Sequence, residues 1–387
     1  GLDVLKFIGK RLLQGVVLLV VFLALLYLLL EAQPGDISQQ LISNPDLPPE
    51  AQTMLREQLG LDRPLLVRTF TYITNFFQGK LGFSFTQYPA TVSHLILERL
   101  PRTIVLFLSA TLLAYYMGFW LGKIMAWRRG RAAESALVLG GVAGYTVFYP
   151  WFAILMLWFW GFQVGWFPLG KFIDVGEWTG APFTANQVFF DLMTSAFGVS
   201  IAALILFAIS RRLPTERAQQ FLWRVGFGVL AIGYFSYWWF SPLRGYVGDI
   251  LHHTALPVVT LACVAFAGVM LLTRSSMLET LREDYILTAR AKGLSERSIR
   301  DHHAARNALL PVVTSLVLAL AFVISGGVIT EFVFSWPGLG QMLLGAVTLE
   351  DVPLAAGTLG IIGILALGGH LIADVAYVFL DPRIRFQ

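Results

Sequence analysis

Apolar runs of about 20 residues, the length an α-helix needs to cross about 30 Å of hydrocarbon, recur along this chain and constrain it more than any other feature. Lipid offers the backbone no hydrogen-bond partners, so each run must satisfy its own amides as a helix. Eight runs meet the length, at approximately residues 12–30, 103–127, 134–160, 188–209, 222–240, 252–273, 312–332 and 354–380. The 387 residues are 56% hydrophobic and 13% charged, too apolar for a soluble core and too poor in charge for disorder or a solvated coiled coil. The predicted fold class is all-α, a polytopic α-helical membrane protein with about eight transmembrane helices. The first run follows Lys6, Lys10 and Arg11 and ends in Glu31-Ala32-Gln33-Pro34-Gly35, which lacks a small-residue cleavage pattern, so it is read as an uncleaved anchor.

With the N-terminus in the cytoplasm and the eight runs alternating, 20 of the 28 lysines and arginines fall inside and 8 outside. Six of the outer ones sit on one long loop, where the positive-inside rule is weak. Both termini are therefore predicted to be cytoplasmic, and the formal charge of +4 reflects basic inner loops rather than a nucleic-acid surface. The long outer segment, residues 32–102, carries Pro48-Pro49 and then Ala51, Met54, Leu55 and Leu59 at helical spacing. It is read either as an amphipathic helix on the outer face or as an ordinary packed loop helix.

Hydrolytic and phosphoryl chemistry lack their signatures. There is no His-Glu-x-x-His pair, no Gly-x-Ser-x-Gly elbow and no phosphate loop. Gly118-Phe-Trp-Leu-Gly122-Lys123 is one residue short of the last and lacks its Ser or Thr; the small-x-x-x-small spacing predicts a helix-packing face, with Lys123 snorkelling to the inner interface. Cys263 is the single cysteine, which excludes an intramolecular disulfide and multi-cysteine metal sites. The pairs His252-His253 and His302-His303 point in different directions on a helix, so no metal site is expected. His370 and Asp374, four apart in the last run, are read either as a helix–helix hydrogen-bonding pair or as the core of an ion-coupled transporter.

Residues 274–311 stand apart, holding seven of the twenty inner basic residues. A helix is predicted from Met277 to Lys292, stopped by Gly293 in the left-handed position after the helix end. Ser295 then caps a second helix through Ile299 to Ala308, ending before Leu310-Pro311. This helix-turn-helix presents Tyr285, Ile286, Ala289, Leu294 and Ile299 among many charges, a suitable docking element for a cytoplasmic partner.

The run from Arg282 to Ser295, Arg-Glu-Asp-Tyr-Ile-Leu-Thr-Ala-Arg-Ala-Lys-Gly-Leu-Ser, continuing to Arg306-Asn307-Ala308-Leu309-Leu310-Pro311, resembles the EAA-type coupling segment of ABC importer permeases in its dipeptide/oligopeptide/nickel form. Further matches run in order along roughly 300 residues: Pro34-Gly35-Asp36, Gln58 to Pro64, Glu98 to Pro101, His253 to Pro257, Thr273 to Met277, Glu331 to Gly340 and Asp381 to Arg385. The resemblance implies a single transmembrane permease domain over residues 1–387, of type I ABC importer permease fold, in a prokaryotic plasma (inner) membrane. It further implies a second homologous permease subunit, two cytoplasmic ATPase subunits that carry the ATP and Mg, and an extracytoplasmic solute-binding protein; this chain itself needs no cofactor and is not an enzyme. ATPase coupling maps to Thr288, Ala289, Arg290, Ala291, Lys292, Gly293, Leu294 and Ser295. Phe334, Ser335, Trp336, Pro337, Gly338 and Gly340 map to an outer loop that docks the binding protein, shapes the outer gate or merely forms a tight turn.

Two features depart from the family pattern. Leu287 stands where the general pattern has Glu, so no salt bridge to the ATPase is expected there. Residues 171–246 form an insertion with two additional transmembrane helices, an even number that leaves the flanking topology unchanged. The expected cargo is peptides, with nickel complexes or oligosaccharides as alternatives, and an ion-coupled secondary transporter is the rival from another class.

Overall fold

In a computed structural model of the chain, residues 2–32, 49, 50, 52, 53, 57, 63–127, 132–323 and 327–380 are described. The amphipathic segment at residues 50–61 and the Pro34-Gly35-Asp36 and Asp381 to Arg385 matches lie wholly or mostly outside them. Among the described residues the chain is helical, with one isolated antiparallel bridge between Phe83 and Thr91. In chain order the helices are α1 (Leu2–Glu31), α2 (Leu65–Phe77), α3 (Val92–Trp127), α4 (Ala132–Thr146), α5 (Tyr149–Met156), α6 (Ala185–Ser210) and α7 (Glu216–Phe240). They continue with α8 (Arg244–Thr280), α9 (Asp284–Ala291), α10 (Ala305–Val323), α11 (Val328–Val333), α12 (Leu339–Thr348) and α13 (Val352–Leu380).

Among the described residues, six helices are long and apolar enough to cross a membrane: α1, α3, α6, α8, α13, and α10 together with the turns before it. The third predicted run is not one straight helix. It is α4 followed by α5 and a π-helical extension, Leu157–Gln163, bent by 105°, and counting the pair as one span makes seven. Pro150 fits the break, because it lacks an amide to continue the α4 ladder and is tolerated in the first turn of α5, which follows the extended Phe148. The fifth predicted run does form a helix of 25 residues, α7. Arg224 and the clustered Tyr and Trp side chains of its second half leave it less apolar than the other six.

The chain divides into two compact units, residues 1–159 with 257–387, and residues 160–256. In the first, α13 packs against α1, α3, α10 and α12, and α10 packs against α3. One apolar cluster joins Val92, Leu95 and Ile96 of α3 to Leu339 and Met342 of α12 and Leu354 of α13. Another joins Leu19 and Leu23 of α1 to Phe76 of α2. Gly118 and Gly122 are a packing face, as their spacing predicts: a Cβ on Gly118 would lie 2.6 Å from Val269 Cβ, and one on Gly122 would lie 2.5 Å from the Met270 carbonyl. Asp351 is fully buried; it accepts hydrogen bonds from Ser84, from the amide and hydroxyl of Thr86, and from the Leu354 amide in the first turn of α13.

The second unit is built on the antiparallel pair α6 and α7. A reciprocal capping box between Thr184 and Gln187 starts α6. The pair is held by Phe207 on Trp223, ring centroids 5.2 Å apart, by Leu206 against Gly226, and by Tyr234 donating to the Leu192 carbonyl at 3.2 Å. Asp249, at the start of α8, accepts from the Asp174 amide and the Trp178 indole and pairs with His253 at 3.0 Å.

Candidate functional site

The basic segment between α8 and α10 starts differently from its prediction. α8 ends at Thr280, a turn follows, and a short separate helix, α9, covers Asp284–Ala291. Gly293 then adopts φ +74°, its amide donates to Arg290, and the Leu294 amide reaches back to Ala289, the paired bonds of a left-handed helix stop. Ser295 caps the next turn by accepting from the Ser298 amide at 3.3 Å. From there the chain passes through Glu296–Ser298 and a π-helical turn, Ile299–Ala304, into α10. The sequence predicts that the second helix ends before Pro311, yet α10 runs through it. Pro311 removes one helical bond, the one to the Asn307 carbonyl, and both residues are exposed.

The predicted apolar docking face divides in two. Ile286, Ala289 and Ile299 are buried with Ala126, Met277, Ala304, Ala305 and Ala308, so they fasten the segment to the ends of α3, α8 and α10. What faces outward is Tyr285, Leu287, Thr288, Arg290, Ala291, Lys292, Gly293, Leu294 and Ser295. Of the eight positions from Thr288 to Ser295 to which the resemblance assigns coupling, Ala289 alone is buried. The result is a charged knob, in which Arg290 pairs with Glu296 at 3.6 Å, with exposed Leu287 and Leu294 on a buried alanine-rich base. Lys123 does not snorkel freely; its Nζ lies 3.1 Å from Asp301 in the π-helical turn. Sequence reasoning missed that pairing, because the partners are 178 positions apart.

The aromatic loop is a buried knot. Phe334 and Trp336 have no exposed surface, Gly338 and Gly340 are buried, Pro337 is half-buried and Ser335, at φ +48°, is exposed. At its centre lies Glu331, fully buried, which accepts from the Thr103 hydroxyl at 2.7 Å and from the Gly340 and Gln341 amides at 2.6 and 3.0 Å. The carboxylate thus caps the N-terminus of α12 from the neighbouring α11, where the helix dipole favours negative charge. A Cβ on Gly338 would lie 2.4 Å from that carboxylate and would displace it from its bonds. Trp336 donates to the Arg102 carbonyl at 3.2 Å, Arg102 donates to the Pro337 carbonyl at 3.3 Å, and the Leu339 amide donates to Thr103 at 2.8 Å. Together these pin the loop to α3.

His370 and Asp374 make separate contacts. The His370 Nδ1 lies 2.8 Å from the Ala366 carbonyl of its own helix, and Asp374 pairs with Arg11 of α1 at 3.4 Å. Among the described residues no group of three His, Cys, Asp or Glu side chains is placed to hold a metal ion.

Comparison with known proteins accords with this arrangement. Residues 118–386 match the family described as binding-protein-dependent transport system inner membrane component, and residues 4–107 match the N-terminal membrane component of the same systems. The di/tripeptide transport system permease protein DppB of Pseudomonas aeruginosa is 29% identical over 385 residues, 99% of each chain. The oligopeptide transport system permease protein AppB of Bacillus subtilis is 28% identical over 380 residues, 98% of this chain and 99% of that one. A helical, multi-pass chain that matches in this way belongs to the family of binding-protein-dependent transport system inner membrane components.

Proposed function

We propose that this chain is a permease subunit of an ATP-driven peptide importer, forming with a second homologous permease the pathway through which cargo passes by alternating access. Two cytoplasmic ATPase subunits and an external binding protein complete the assembly, in the type I importer arrangement. Peptide cargo is the reading favoured by the transport named for the two relatives. The observation that carries the proposal is the knob formed by Thr288 and Arg290 to Ser295, exposed on a buried base that is continuous with α3, α8 and α10. A rigid projection of this kind converts the movement of a docked partner into movement of the helices it is fastened to.

Eight crossings, with α4 and α5 as one bent span and α7 as another, keep both termini and the knob on the cytoplasmic side. The added pair α6 and α7 then packs as a hairpin toward lipid, which its outward Phe197, Leu204, Phe221 and Ile232 support. The aromatic loop, being buried, suits shaping of the outer gate better than docking of the binding protein. An ion-coupled mechanism is disfavoured by the separate engagements of His370 and Asp374.

Leu294→Asp places a charge on the exposed apolar rim of the knob. In the reconstituted complex it is expected to lower co-purification of the ATPase subunits, and trialanine uptake with it, about tenfold, corresponding to roughly 1.4 kcal/mol of docking energy. Wild-type docking and uptake in that variant would sink the coupling assignment.

A further inference from the structure

A second set of contacts joins the knob to α3, and it is built from charges rather than from the alanine base. Trp120, Lys123 and Trp127 are spaced three and four residues apart and form one stripe on the last turns of α3. Opposite them, the π-helical turn brings forward Arg300 and Asp301. Asp301 receives Lys123 Nζ at 3.1 Å and a two-pronged hydrogen bond from Arg300 at 2.9 and 2.7 Å, with Arg297 farther off at 4.0 Å. The Arg300 guanidinium lies 5.9 Å from the Trp127 ring centre, and Lys123 Nζ lies 5.3 Å from that of Trp120. The two partners of the central pair keep only 15% and 25% of their side-chain surface exposed. Water therefore screens this pair less than it screens an exposed surface bridge.

The turn itself is unusual. Six residues of π-helix, Ile299–Ala304, stand between the cap at Ser295 and α10, and such insertions re-aim side chains at functional positions. On its inward side this turn buries Ile299 and Ala304 while Asp301 meets α3. α3 is in turn locked to α8 through Gly118 and Gly122. A displacement of the knob thus reaches α10 through the covalent chain and α3 through two contacts, the apolar packing on Ala126 and the Lys123 to Asp301 pair.

We propose that the Lys123 and Asp301 pair is the link by which movement of the docked segment is passed to α3, so that α3 moves with α10 when the ATPase subunits close. This inference rests on the docking role given to the segment above. Lys123 and Asp301 are positioning residues and touch neither cargo nor nucleotide. Without the pair, the knob still docks and the ATPase still cycles, while α3 lags and less cargo is released per ATP hydrolysed.

The test uses the full complex in proteoliposomes with its binding protein, reading trialanine uptake and ATP hydrolysis side by side and scoring co-purification of the ATPase subunits. Lys123→Met and Asp301→Asn are each expected to retain the ATPase subunits and to lower peptide taken up per ATP hydrolysed about tenfold, within the coupling energies known for contacting residues. Lys123→Arg, which keeps the charge, is expected to restore the ratio to within about threefold of the wild type. An unchanged ratio in both neutral variants overturns the link, as does a loss explained entirely by loss of the ATPase subunits, which would make the pair merely structural. Should Lys123→Met fail to fold, Asp301→Asn, which keeps the side-chain shape, decides alone. Leu294→Asp separates the two claims: if it leaves docking intact, the segment's role and this inference fall together. If it abolishes docking while both neutral variants keep the wild-type ratio, only the inference falls.

Discussion

Gly122 and Glu331 each hold a contact between helices of the first unit. At Gly122 the nearest atoms to an added methyl group would be the Met270 carbonyl at 2.5 Å and Thr273 Cβ at 2.6 Å, and backbone cannot step aside as a flexible side chain can. Gly122→Leu should therefore lower stability by about 1–3 kcal/mol or more, visible as a lower melting temperature in detergent. Gly9→Leu, where no heavy atom lies within 4 Å, should melt near the wild type and serves as the control. Glu331 is the second case. Removing its carboxylate leaves the Thr103 hydroxyl and two amides of α12 without their acceptor inside the protein. Glu331→Ala should cost about 2–3 kcal/mol by the same melting assay, and Glu331→Gln, which keeps one carbonyl oxygen, clearly less. Equal melting of the two variants would mean that shape, not hydrogen bonding, holds the loop.

Among the elements, α9 shows how short-range chemistry and long-range packing divide their work. Its stop needs positive φ, and glycine reaches that conformation without steric penalty. Gly293→Val forces a β-branched side chain into left-handed backbone at a cost of about 1–2 kcal/mol, enough to turn the knob without unfolding the spans. Uptake in vesicles should fall while the protein still inserts and ATP hydrolysis continues; wild-type rates for both would contradict it. The Gly293 stop and the Ser295 cap were legible in the sequence because each depends on residues within five positions. Which of Ile286, Ala289 and Leu294 would face outward was not legible, since that depends on where the ends of α3 and α8 lie.

For the whole molecule the open quantity is the number of crossings. Eight crossings put the Arg211-Arg212-Leu213 turn on the same side as the knob; six, with neither α7 nor the bent pair crossing, put it on the other. Leu213→Cys in a Cys263→Ser background should react with an impermeant thiol reagent in inside-out vesicles and stay protected in right-side-out ones. The opposite pattern would remove α7 and the bent pair from the count. Six of the eight predicted runs overlap helices apolar enough to cross, the seventh run only over its first half, because hydrocarbon thickness imposes a length that local composition can meet by itself. The bend at Pro150 was written locally as well, in a proline that a continuous apolar average conceals.

Taken by itself, the sequence determined that this protein is helical and membrane-embedded, and where α9 stops and the next turn begins. Each of these follows from properties of neighbouring residues: transfer free energy summed over a run, or the backbone freedom of one glycine. Only the tertiary structure decided that the aromatic loop is a buried knot around Glu331, that Lys123 holds Asp301, and that Asp374 turns to Arg11 instead of His370. Those pairings join residues far apart in the chain. Their energy exists only once separate helices have been brought within a few ångströms of one another.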